Sequence, residues 1–78
     1  MKQTTAKITR FKDGEYFIDI VDDGKVYEAW ISESNEANQM FMFGVSKQHE
    51  SFDGFCEVVE SNLPKYKALY QCVKLGEE

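Results

Sequence analysis

His49 is the single histidine of the chain, and Cys56 follows it by seven residues. A histidine near a thiol is the pairing that makes a cysteine nucleophilic. The neighbours of Cys56 argue against that use. It falls in the row Phe52, Phe55, Cys56, Val59 and Leu63, one face of a helix, where a thiol is ordinarily inert packing. Cys56 and Cys72 are sixteen apart on consecutive expected helices. A structural zinc takes four ligands, commonly from paired Cys and His motifs, and two Cys with one His do not supply them. Without a leader sequence, reduced thiols are expected, with Cys56 and Cys72 both unpaired packing residues.

Asp19, Asp22, Asp23 and Gly24 faintly resemble a calcium loop. The third loop position is Val21 and the twelfth is Trp30, where a bidentate Glu is needed, so a capped hairpin turn reads better. Glu57 and Glu60, at i and i+3 on the polar side of a helix, read as solvated charge and not as general acid and base. No Gly-rich phosphate loop and no Ser-His-Asp set is present. The expectation is a chain without enzymatic activity, metal or cofactor.

The elements that position these residues follow from alternation. Tyr16, Ile18 and Ile20 recur with period two, as do Tyr27, Ala29 and Ile31, and Ala6, Ile8 and Arg10. Each reads as a half-buried strand. Asp13-Gly14 and Asp23-Gly24 separate them as hairpin turns. A three-residue first turn, Lys12-Asp13-Gly14, sets Ile8 opposite Ile18 and Lys7 opposite Asp19. A two-residue second turn sets Ile20 against Tyr27 and Ile18 against Ala29. Residues 32–39 are polar and read as a loop. Met40 to Val45 is apolar on both faces and reads as a fourth strand.

Ser51 is an expected N-cap, with Asp53 in the first turn. Pro64 interrupts the apolar row that follows, and Asn62 is placed to cap a second helix carrying Tyr66, Leu69, Tyr70 and Val73. The fold class is therefore α+β: a four-stranded antiparallel meander, then two short C-terminal helices (ββββαα) on one sheet face. Strands are expected near 5–12, 15–22, 26–32 and 40–45, and helices near 52–62 and 64–75. The expected core is Ile8, Ile18, Ile20, Ala29, Ile31, Phe55, Val59, Leu69 and Val73.

Seventy-eight residues, 42% of them apolar, suffice for one small domain, 1–78, with a modest core. The longest apolar run, Met40 to Phe43, is far short of the ~20 residues a membrane span needs. No leader is visible in the basic first twelve residues. A cytoplasmic protein that does not enter membranes is expected.

The net charge of −5 hides a pattern. Residues 1–12 carry +4, residues 13–63 carry −10, and residues 64–78 carry +1. One reading is internal complementation, in which the basic ends lie beside the acidic middle. The other is an acidic face that meets a basic partner. Direct binding of nucleic acid is disfavoured, because like charges repel along a phosphate backbone.

Eleven aromatics are a heavy load for so small a core. The sheet face away from the aliphatic stripe is expected to carry Phe17 opposite Trp30 and Val21 opposite Val26, with Asp19 and Glu28 between them and Lys7 as bridge. Exposed aromatic clusters mark interfaces. Phe17, Trp30, Val21, Val26, Asp19 and Glu28 are thus the candidate partner-binding residues. The expected role is a non-enzymatic protein-binding module. Within that class it is a small acidic inhibitor or modulator, of the phage or mobile-element kind, of a larger basic nucleic-acid-handling protein. The alternative is a homodimeric accessory protein whose acidic surface serves only solubility.

Overall fold

The computed structural model describes residues 6–34 and 38–76. Four strands, β1 (Lys7–Asp13), β2 (Tyr16–Asp22), β3 (Val26–Glu33) and β4 (Met40–Ser46), form one antiparallel sheet in the order β1-β2-β3-β4. A single helix, α1 (Phe52–Gly76), covers one face. The expected meander and the α+β class hold. Residue 5, the expected start of the first strand, and residues 35–37 of the expected loop lie outside the described residues.

The first hairpin corrects the expected register. Its turn is Gly14-Glu15, flanked by Asp13↔Tyr16, with Gly14 at φ +63 where a two-residue hairpin turn needs a left-handed first position. Ile8 therefore pairs with Val21 and Arg10 with Asp19. An odd shift turns every side chain of a strand over. Thr9 and Phe11 face the helix, opposite Ile20 and Ile18, and Ile8 is 63% exposed on the other face. The placement of Ile8 in the core is overturned. Matching aliphatic residues across the turn suggested it; the observed register instead sets Arg10 opposite Asp19 and puts Phe11 opposite Ile18 on the helix side.

The second hairpin shifts by an even number, so its faces stand. Its last pair is Asp22↔Tyr27, and Ile18 meets Ile31 while Ile20 meets Ala29. The loop is longer than two residues because carboxylates organise it. The Asp23 side chain accepts from the amides of Lys25 and Val26, both at 2.9 Å. The Asp22 side chain accepts from that of Gly24, also at 2.9 Å. Gly24 takes φ +96.

β4 joins β3 with a bulge. Ala29 pairs with Phe43 and Trp30 with Phe41, leaving Met42 as the extra residue. The bulge reverses the alternation. Met42 enters the core, Phe43 and Val45 pack against it, and Phe41 turns to the opposite face beside Trp30.

The two expected helices are one, with Pro64 inside it. Ser51 caps it, its Oγ accepting from the Gly54 amide at 3.0 Å. Asn62 does not start a new helix, and its Nδ2 donates to the Val58 carbonyl at 2.8 Å. Pro64 is exposed, so the carbonyl its missing N–H leaves without a helical bond is that of the exposed Glu60, within reach of water. The buried row Phe55, Val59, Leu63 and Tyr70 runs through the proline at helical spacing, and a break there would throw its two halves out of phase. Leu69 and Val73, expected in the core, are exposed, and Leu63 and Tyr70 occupy that role. The core is completed by Ile18, Ile20, Tyr27, Ala29, Ile31 and Met42. The thinnest dimension, 19 Å, is that of one helix layer on one sheet layer.

Candidate functional site

The sheet face away from α1 has no element over it among the described residues. Its side chains form rows across the strands. Ile8, Val21, Glu28 and Gly44 make one row. Arg10, Asp19, Trp30 and Phe41 make the next, and Lys12, Phe17 and Ser32 the third.

The middle row holds the polar centre. Arg10 Nε donates to Asp19 Oδ1 at 2.7 Å and Arg10 Nη2 to Asp19 Oδ2 at 3.0 Å, a two-point grip. Gln39 Nε2 donates to the same Oδ2 at 2.6 Å. Asp19 is 6% exposed although no helix lies above it, because its own neighbours enclose it. The hydrogen bonds from Arg10 hold its carboxyl below the ordinary range against the opposing effect of burial, with Gln39 adding to them. The Arg10 guanidinium also lies 4.6 Å from the centre of the Phe17 ring.

Around this centre lies an apolar rim. Trp30 and Phe41 meet edge-to-face with centroids 5.2 Å apart, and the indole N–H donates to Glu28 at 3.4 Å. Phe41 is 47% exposed. Phe17, Val21 and Trp30 are half-buried.

All six expected partner-binding residues fall on this face, but their pairing differs. Phe17 lies opposite Ser32, not Trp30, and Val21 opposite Glu28, not Val26. Val26 sits at the end of the face opposite Ser46. Lys7 pairs with Asp22 and does not bridge Asp19; Arg10, the single arginine of the chain, does. Sequence reasoning missed Arg10, Gln39 and Phe41. The chain's single arginine, and Asp19 at the centre of an otherwise apolar stretch of the strand that follows Gly14, were a readable signal for the first. Nothing local signals the bulge that brings Phe41 round.

A second concavity lies between α1 and β1. It has a volume of about 490 Å³, with Phe11, Ile18, Cys56, Val59, Leu63 and Pro64 among its lining. Lys67 reaches Asp13 at 3.1 Å beside it. Burial pushes the Cys56 thiol up, with Asp53 and Glu60 adding to the effect, which opposes thiolate chemistry there. Both cysteines are free. Cys72 is exposed, so the expectation that it packs is corrected, since it lies on the side of α1 away from the sheet. Among the described residues no three His, Cys, Asp or Glu side chains converge, and no helix is long and apolar enough to cross a membrane.

Comparison with protein-family models, with curated proteins and with solved structures finds no match to this chain.

Proposed function

We propose that this chain is a protein-binding module that docks through the outer sheet face. One observation carries the reading: a face with no element over it among the described residues, where half-buried Trp30 and exposed Phe41 surround a fixed Arg10–Asp19–Gln39 network. Aromatic residues and arginine supply most of the anchoring energy of protein interfaces. Here the arginine is already oriented, so little side-chain freedom is lost on docking. Glu28 and Lys12 at the margin give the face its polarity.

The finer reading, an acidic modulator of a basic nucleic-acid-handling protein, draws on a different surface. Asp53, Glu57 and Glu60 follow one another along the solvent side of α1. A basic partner engaging them as well as the outer face would reach around the sheet edge.

The test uses the double variant Trp30→Ala, Phe17→Ser as bait beside the unmodified chain. The variant is expected to keep its circular dichroism and lose the bound partner. Cys72→Ser, on the side of α1 away from the sheet, is expected to retain it. Equal capture by the folded double variant would show that the outer face is not the docking surface.

A further inference from the structure

The two edges of the sheet are unlike. β1 exposes an edge carrying Lys7, Arg10 and Lys12 with Asp13 at its end, a net positive charge of the kind that discourages strand addition. β4, Met-Phe-Met-Phe-Gly-Val-Ser, carries none. Its far side pairs with no strand among the described residues. An uncharged edge with unpaired backbone groups is a template for another strand.

The helix above adds an independent observation. Cys56, Glu60 and Lys67 line the groove on the β1 side of α1. Successive residues turn by about 100° around a helix. Val58, Leu69 and Val73 therefore share the opposite flank, on the β4 side. Their exposures are 40%, 42% and 47%. Among the described residues the one charge within that flank is Lys65, whose ammonium lies 5.6 Å from the centre of the Tyr66 ring. α1 also runs alongside β4 in the opposite direction: Phe55 meets Phe43 near its start, and the Tyr70 hydroxyl donates to the Asn38 carbonyl near its end.

We infer that a second copy of this chain docks here, β4 antiparallel to its own counterpart and the Val58–Leu69–Val73 flank against the same flank. The charge distribution selects this occupant. A two-fold axis sets a patch against itself, so a charged patch repels its copy and an uncharged one does not. The β1 edge, with Lys7, Arg10 and Lys12 outnumbering Asp13, would bring a net positive strand against its own copy. The β4 edge brings only Met, Phe, Gly, Val and Ser together. The product is a continuous eight-stranded sheet with both outer faces on the same side. The inference does not depend on the outer-face reading, but together they make a two-headed binder whose avidity exceeds that of one face.

Sedimentation equilibrium across the micromolar range tests it. The unmodified chain is expected to reach twice its 9.0 kDa mass. Leu69→Glu with Val73→Glu, both at exposed positions, is expected to return it to 9.0 kDa with unchanged circular dichroism. Val58→Lys, at the other end of the stripe, is expected to do the same should the double variant fold poorly. The β4 amides that point away from β3 should exchange more slowly at high concentration. A monomer throughout, or a dimer that survives folded stripe variants, overturns the inference. Loss of dimerisation with retained partner capture leaves the outer-face reading standing, and the converse result separates them the other way.

Discussion

Ile8 and Ile18 share a residue type and the meander, yet their positions differ in kind. Ile18 is 1% exposed beneath α1, and Ile8 lies open on the far face. Ile18→Ala removes buried methyl groups and leaves a cavity, which costs about 2–5 kcal/mol. Ile8→Ala is expected to change stability by no more than about 0.5 kcal/mol, as surface substitutions do. Urea unfolding of the two variants checks this. Equal losses would mean that the observed register of β1 is wrong, because the face of Ile8 follows from it.

Pro64 is the decisive residue at the scale of elements. Inside a helix, proline is about 3 kcal/mol less favourable than alanine, whereas in a first turn it costs little. Pro64→Ala is therefore expected to stabilise the chain, by up to about 3 kcal/mol. Thermal unfolding would show a raised midpoint. An unchanged or lowered midpoint would fit a helix that begins near Pro64. The same element shows where the sequence was legible. The N-cap at Ser51 and the rows Phe55, Val59 and Leu63 follow from local chemistry. Continuity through Pro64 does not, because it rests on one row of side chains packing against β3 and β4 at once.

Across the whole molecule the charge pattern resolves into sewn pairs. Arg10 from the basic start reaches Asp19, and Lys67 and Lys74 from the basic end reach Asp13 and Glu33. Lys47 reaches Asp22. Hydrogen bonds from Arg10, Lys47 and Lys74 hold the carboxyls of Asp19, Asp22 and Glu33 below their ordinary values. A carboxyl lowered on folding contributes stability above its unfolded value, about 4, and loses it as the pH falls through the folded one. The pairs are part-exposed, so each contributes modestly. Stability is expected to be level down to roughly pH 5 and to fall below it. Asp19→Asn should make that fall shallower, since it removes one lowered group. Parallel profiles for the variant and the unmodified chain would detach Asp19 from the acid response.

The sequence by itself determined the strand order, the α+β class, the inward faces of β2 and β3 and the six residues of the outer face. Those depend on period-two alternation and turn residues, which are read within a few positions of one another. Only the tertiary structure decided the faces of β1 and β4, the single helix and the partner of Asp19. The strand faces and the partner of Asp19 turn on one-residue choices, the Gly14-Glu15 turn and the bulge at Met42, whose cost is local and whose effect lies across the sheet, while the single helix rests on the buried row that runs through Pro64. A two-residue periodicity is unchanged by even shifts and inverted by odd ones, so the second hairpin survived its error and the first did not.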